Sequence, residues 1–202
     1  PDVLKLPNSG IKGIKPGTFE SMDWLERLDL SRNKITKIEA ATFRGLGRLR
    51  ELNLDEGLAM NEVAAGTFLG LRNLEDLRMS NNDVSILRVG TFVDLGRLQE
   101  LDLSSNRIED IEPGAFAGLR SLESLKMKSD RNALAVLRNG TFEGLGALGG
   151  TLDLSHSGIQ SIEPGAFVGL HNLEILTLAF NDLTILQANT FLGLENLKEL
   201  HL

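Results

Sequence analysis

Three residues in the second half of the chain carry side chains of catalytic type: Asp153, Ser155 and His156. An acid, a hydroxyl and an imidazole can activate a nucleophile when the acid orients the imidazole and the imidazole takes the hydroxyl proton. That chemistry needs the His between the other two groups and a pocket of donors for the developing oxyanion. Here Asp153 and Ser155 alternate outward on one predicted strand, His156 stands at its exit, and nothing supplies the pocket. His156 and Asp153 do not make a metal pair either, because no second His or carboxylate stands at ligand spacing. His171 and His201 fall elsewhere, and no GxxxxGK phosphate loop occurs. The sequence therefore reads as a protein without catalytic residues, metal or cofactor.

A second set of residues suits recognition. The residues between the strand leucines form two outward columns. One runs Arg27, Glu51, Asp76, Glu100, Ser124, Thr151, Ile175, and the next Asp29, Asn53, Arg78, Asp102, Lys126, Asp153, Thr177. Strand exits add Asp55-Glu56 and Ala179-Phe180. Glu51, Asp55, Glu56, Asp76, Glu100 and Asp102 concentrate acid in the middle, against Arg78. Neighbouring strands lie about 4.8 Å apart, so these carboxylates sit within about one Debye length of each other. They form either a solvated face or a patch that steers a basic partner. Ile175, Ala179 and Phe180 turn the C-terminal end apolar, with Phe180 either a binding anchor or packed along the rim. The expected ligand-facing set is Asp29, Glu51, Asp55, Glu56, Asp76, Arg78, Glu100, Asp102, Asp153, Ile175 and Phe180. Asn139-Gly140-Thr141 is a glycosylation acceptor pattern on the opposite side.

A repeat positions these residues. Phe19, Phe43, Phe68, Phe92, Phe116, Phe142, Phe167 and Phe191 are spaced 24, 25, 24, 24, 26, 25 and 24 apart. Each follows a pair of alternating apolar residues such as Leu28/Leu30, Leu101/Leu103 or Leu176/Leu178. Period two marks a strand with one buried face, and strands recurring in one direction pair in parallel. Three residues beyond the second strand leucine stand Asn33, Asn82, Asn106 and Asn181. There an amide can satisfy backbone groups that the ending strand leaves unpaired. Pro16-Gly17, Pro113-Gly114 and Pro164-Gly165 punctuate the return segments, which predicts turns and short 3₁₀ pieces rather than long helices.

The pattern LxxLxLxxNxIxxIxxxxFxxL resembles the typical 24-residue leucine-rich repeat over nearly the whole chain. The resemblance implies an α/β fold: one right-handed solenoid domain, residues 1–202, of about eight repeats. A single parallel sheet would line its concave face. The TF/AF-x-G-L back segments are similar to those of extracellular receptors and adhesion proteins, among them Toll-like receptors, variable lymphocyte receptors and small proteoglycans. That implies an extracellular or cell-surface recognition module binding a protein or microbial-surface macromolecule in immune recognition. The alternatives are a self-associating adhesion ectodomain, able to form a homodimer, and an intracellular or bacterial interaction scaffold.

Composition bounds these readings. A net charge of −7 and a pI near 5.1 argue against non-specific nucleic-acid binding and against an anionic membrane surface. No apolar run approaches the roughly 20 residues a membrane helix needs. Cysteine is absent, so the cysteine-rich caps of extracellular relatives have no counterpart here. The chain opens at Val3-Leu4, inside a repeat, and ends mid-strand at Leu200-His201-Leu202, as expected of a mature chain or a fragment. Three copies break register. Leu58 is read at the place of the Asn, KSDRN adds two residues, and Gly149-Gly150 adds one. Ser9 and Ser157 replace Asn at two further sites.

Overall fold

The computed structural model describes residues 2–202. Its front is built from three-residue strands, one per repeat: Val3–Lys5, Arg27–Asp29, Glu51–Asn53, Asp76–Arg78, Glu100–Asp102, Ser124–Lys126, Thr151–Asp153, Ile175–Thr177 and Glu199–His201. Pairing is parallel and in register, with Leu28 beside Leu52, Leu52 beside Leu77 and Leu77 beside Leu101. These central leucines are buried while the residues on either side face out, as the two-residue period requires.

Behind the strands the eight phenylalanines form one unbroken stack, with ring centroids 5.9–6.3 Å apart and planes within 2–15° of parallel. A glycine stands two residues after six of the eight phenylalanines, with Ser21 and Asp94 in that place after Phe19 and Phe92, and in several repeats it lets the chain approach the preceding turn closely. At Gly45, with φ at 103°, an added Cβ would lie 2.5 Å from the Phe19 carbonyl oxygen, and glycine alone tolerates both the conformation and the approach. The back consists of turns and two-residue parallel strands, such as Lys37–Ile38 and Val136–Leu137. No α- or 3₁₀-helix occurs among the described residues, so the α/β class narrows to strands and turns.

The asparagines do what their spacing predicts. Asn106 is fully buried; its Nδ2 donates to the carbonyls of Met79 and Leu103, both at 2.9 Å, and its Oδ1 accepts from Val84 N at 3.1 Å. Asn33, Asn82 and Asn181 bridge their neighbours in the same way. One expectation needs correction. Gly57, not Leu58, occupies the Asn position: its carbonyl accepts Ile35 N at 2.9 Å, while Leu58 turns into the core at 5% exposure. The inserted residue shifts the count by one, and a leucine gains by pointing inward.

A second correction concerns the front, which is two sheets. Six strands from Val3–Lys5 to Ser124–Lys126 form one, and Thr151–Asp153, Ile175–Thr177 and Glu199–His201 form the other. Elsewhere each junction carries rungs such as Leu103 N to Lys126 O at 2.8 Å and Ser105 N to Lys128 O at 3.0 Å. Among the described residues no equivalent rung joins Ser124–Lys126 to Thr151–Asp153. The repeat between them holds both the KSDRN and the Gly149-Gly150 insertions, and the extra residues spoil the alignment of donors with acceptors. Missing asparagine is not the reason. Gly57 also lacks the amide, yet its strand keeps Leu30 N to Asn53 O at 2.9 Å.

Candidate functional site

The front strands bring most of the expected ligand-facing residues together in two adjoining recesses. One, of about 300 Å³, is lined by Lys5, Arg27, Asp29, Glu51, Asn53, Asp76 and Arg78; the other, of about 320 Å³, by Asp55, Asp76, Arg78, Glu100, Asp102, Ser124 and Lys126. Asp76 and Arg78 form the wall between them. Glu56 lies on the rim outside both. Asp153, Ile175 and Phe180 fall on the smaller sheet, across the break.

The face is less uniformly acidic than its columns suggested. Arg27 pairs with Glu51 at 3.0 Å, and Arg78 grips Asp76 through Nε and Nη2 at 3.0 and 2.8 Å. Arg32 approaches Glu56 at 3.7 Å, Lys128 approaches Asp153 at 3.4 Å, and Lys126 lines the acidic recess. Three of the aspartates also serve the backbone. Asp29, Asp102 and Asp153 each accept the amide of the serine two residues on, at 2.9 Å. These Asx turns end the strands, and the recurring Asp-Leu-Ser tripeptide was the sequence signal for them.

Two carboxylates of the front face are shifted in their titration. Burial pushes Asp55 above the ordinary carboxylate range, although it accepts Ser80 N at 2.7 Å and has Arg78 nearby. Burial also opposes charge on Asp153, but the Ser155 hydroxyl and amide and the Lys128 ammonium outweigh it and hold Asp153 below that range. Glu100 makes no ion pair or side-chain hydrogen bond among the described residues. Among the carboxylates of the expected ligand-facing set, it is the one without such a partner.

Phe180 projects from the rim at 77% exposure and stacks on His156 alone, with centroids 4.5 Å apart. Its backbone is left-handed, φ 58°, as at the equivalent exits Arg32, Glu56, Asn81, Ser105 and His156. Phe180 also borders an apolar recess with Leu183, Ile185, Leu186 and Leu202 of the last turns. The same geometry disposes of the triad: the Ser155 hydroxyl donates directly to Asp153 at 2.6 Å, and His156 stacks on Phe180. The catalytic order, with His in the middle, is not assembled.

Asn139 is exposed at the back, where its backbone N–H donates to Glu163 at 3.0 Å. Thr141 is buried, and its hydroxyl donates to Arg138 O at 2.8 Å. Thr18, Thr42 and Thr190 make the same bond in their repeats, so the threonine of the acceptor pattern has a structural reason to be there. Sequence reasoning missed Arg131. From the KSDRN insertion its Nη2 donates to Asn82 O at 2.7 Å and Ser105 O at 3.3 Å and meets Asp83 at 3.2 Å, tying three repeats together.

The leucine rich repeat family matches residues 2–56, 59–108, 72–131 and 150–202. The chain belongs to this family. The matches skip 57–58 and 132–149, the two irregular stretches described above. Toll-like receptor 3 of Boselaphus tragocamelus is 31% identical over 92% of the chain, and the chain spans 16% of that receptor. Tsukushi of Gallus gallus is 29% identical over 98% of the chain, which spans 53% of it. The crystal structure of a TLR13-ssRNA13 complex superposes with a TM-score of 0.81 at 30% identity, covering 93% of this chain and 26% of that one. A solenoid of this fold thus occurs with single-stranded RNA, and net charge alone does not exclude nucleic acid from such a surface. The exclusion drawn from the pI does not stand.

Proposed function

We propose that this chain is the binding segment of an extracellular recognition protein, of the immune-receptor kind, and that it engages a protein with a basic surface through its front face. The observation that carries this reading is the pair of adjoining recesses with Glu100 unpaired, beside a rim on which Phe180 is held out to solvent. Glu100, Asp102, Asp55 and Glu51 would steer and orient a cationic partner. Ile175 and Phe180 would supply the desolvated anchor that charge alone does not. An extracellular location would also expose Asn139 to glycan attachment at the back, clear of the front face.

The test uses a fluorescent deca-arginine peptide titrated at several salt concentrations. Reversal of Glu51, Glu100 and Asp102 to Lys is compared with reversal of Glu20, Glu143 and Glu195, which changes net charge equally at other positions. Front-face reversal is expected to abolish most of the affinity and flatten its salt dependence, with the second set near wild type. Equal losses from both sets would reduce the effect to net charge. A single-stranded RNA 13-mer binding more tightly than the peptide would replace the protein reading by a nucleic-acid one.

A further inference from the structure

The break between Ser124–Lys126 and Thr151–Asp153 is confined to the front. Behind it the core is continuous: Phe142 stacks on Phe167 at 5.9 Å, and Val136–Leu137 pairs with Ser161–Ile162. In front, the side-chain tie across the break is Lys128 to Asp153 at 3.4 Å, between groups 60% and 32% exposed. An exposed ion pair of this kind contributes on the order of 0–1 kcal/mol. The rungs it replaces fix strand spacing at each intact junction, and the junction's chain entry is Gly149-Gly150, with Gly150 at φ 61°. On the N-terminal side Arg131 staples three repeats up to the break, so that half is stiff to its edge.

We propose that the solenoid has a hinge here: the two front sheets open and close as rigid halves about the continuous phenylalanine stack. The acidic recesses lie on one half and the Phe180 rim on the other. A partner touching both would therefore set the hinge angle, a consequence that rests on the proposed binding face, whereas the motion itself needs no ligand.

The absence of cysteine makes paired spin labels straightforward to place. Glu51→Cys with Thr151→Cys spans four strand spacings across the break; Arg27→Cys with Ser124→Cys spans four within the intact sheet. Both separations are about 19 Å from strand spacing. Double electron–electron resonance is expected to give a distance distribution about twofold wider for the first pair, widened further by Lys128→Ala, with the second pair unaffected. Equal widths, or no response to Lys128→Ala, would overturn the hinge.

A second measurement uses the unsubstituted chain. Leu134 N donates to Ser157 O at 2.7 Å across the break, and Ile35 N makes the matching bond to Gly57 O at 2.9 Å in the intact sheet. Both residues are buried. Hinge opening predicts that the Leu134 amide exchanges at least about tenfold faster than that of Ile35. Equal or slower exchange contradicts it.

Discussion

Replacing Phe180 by Gly separates an anchor from a core residue. Full burial of a Phe side chain contributes about 1.5–3 kcal/mol. At 77% exposure Phe180 retains roughly a quarter of that, and its stack on His156 adds about 0.5–1 kcal/mol. Against this, a residue with a Cβ in the left-handed region costs about 1–2 kcal/mol, which glycine relieves. Glycine also loosens the unfolded chain by about 0.4–1 kcal/mol. The contributions nearly cancel, so Phe180→Gly should change stability by less than about 1 kcal/mol, and Phe180→Ala should cost about 1 kcal/mol. Phe116→Ala, from the middle of the buried stack, should cost about 3–5 kcal/mol. Urea denaturation followed by far-ultraviolet circular dichroism measures all three. A loss above about 2 kcal/mol for Phe180→Gly would show that the ring supports the fold, and the argument for a solvent-held anchor would fail.

Three further outcomes follow from the geometry. Asn106→Ala leaves the Met79 and Leu103 carbonyls and the Val84 amide buried and unpaired; at about 1–3 kcal/mol per group it should lower stability by at least about 3 kcal/mol in urea titration. Arg131→Ala removes bonds from a half-exposed guanidinium to two carbonyls and Asp83, and should cost about 1–2 kcal/mol, more than the other surface ion pairs, in thermal denaturation. Asp55 is harder to ionise in the folded protein than in the unfolded chain, so its charge is a destabilising load at neutral pH that disappears as pH falls through the ordinary carboxylate range. Asp55→Asn should therefore raise the melting temperature at pH 7, with the difference shrinking toward pH 3; a constant difference across that range would contradict the assigned cause.

The sequence alone determined the architecture, because a repeat forces the same local solution many times. The phenylalanine ruler, the alternating leucines and the Asn at a fixed offset each name a buried partner in the next copy. Stacking copies is the only way to bury all of them. The outward columns followed from the two-residue period, so the membership of the front face was legible too. What was not legible is what those side chains do with one another. Arg27 and Glu51 were legible as neighbours in one column, but that they close an ion pair at 3.0 Å, and that Arg78 turns back on Asp76 of its own strand, was not. Asp29, Asp102 and Asp153 looked free and instead cap their own strand exits. The insertions were visible as extra residues, but their consequences differ. One residue before Leu58 leaves the sheet intact, whereas KSDRN with Gly149-Gly150 divides it. Hydrogen-bond rungs depend on the alignment of two strands in space, which no single repeat encodes. The exposure of Phe180 and the reach of Arg131 across three repeats were likewise settled only by tertiary structure, because both depend on residues 24 or more positions away.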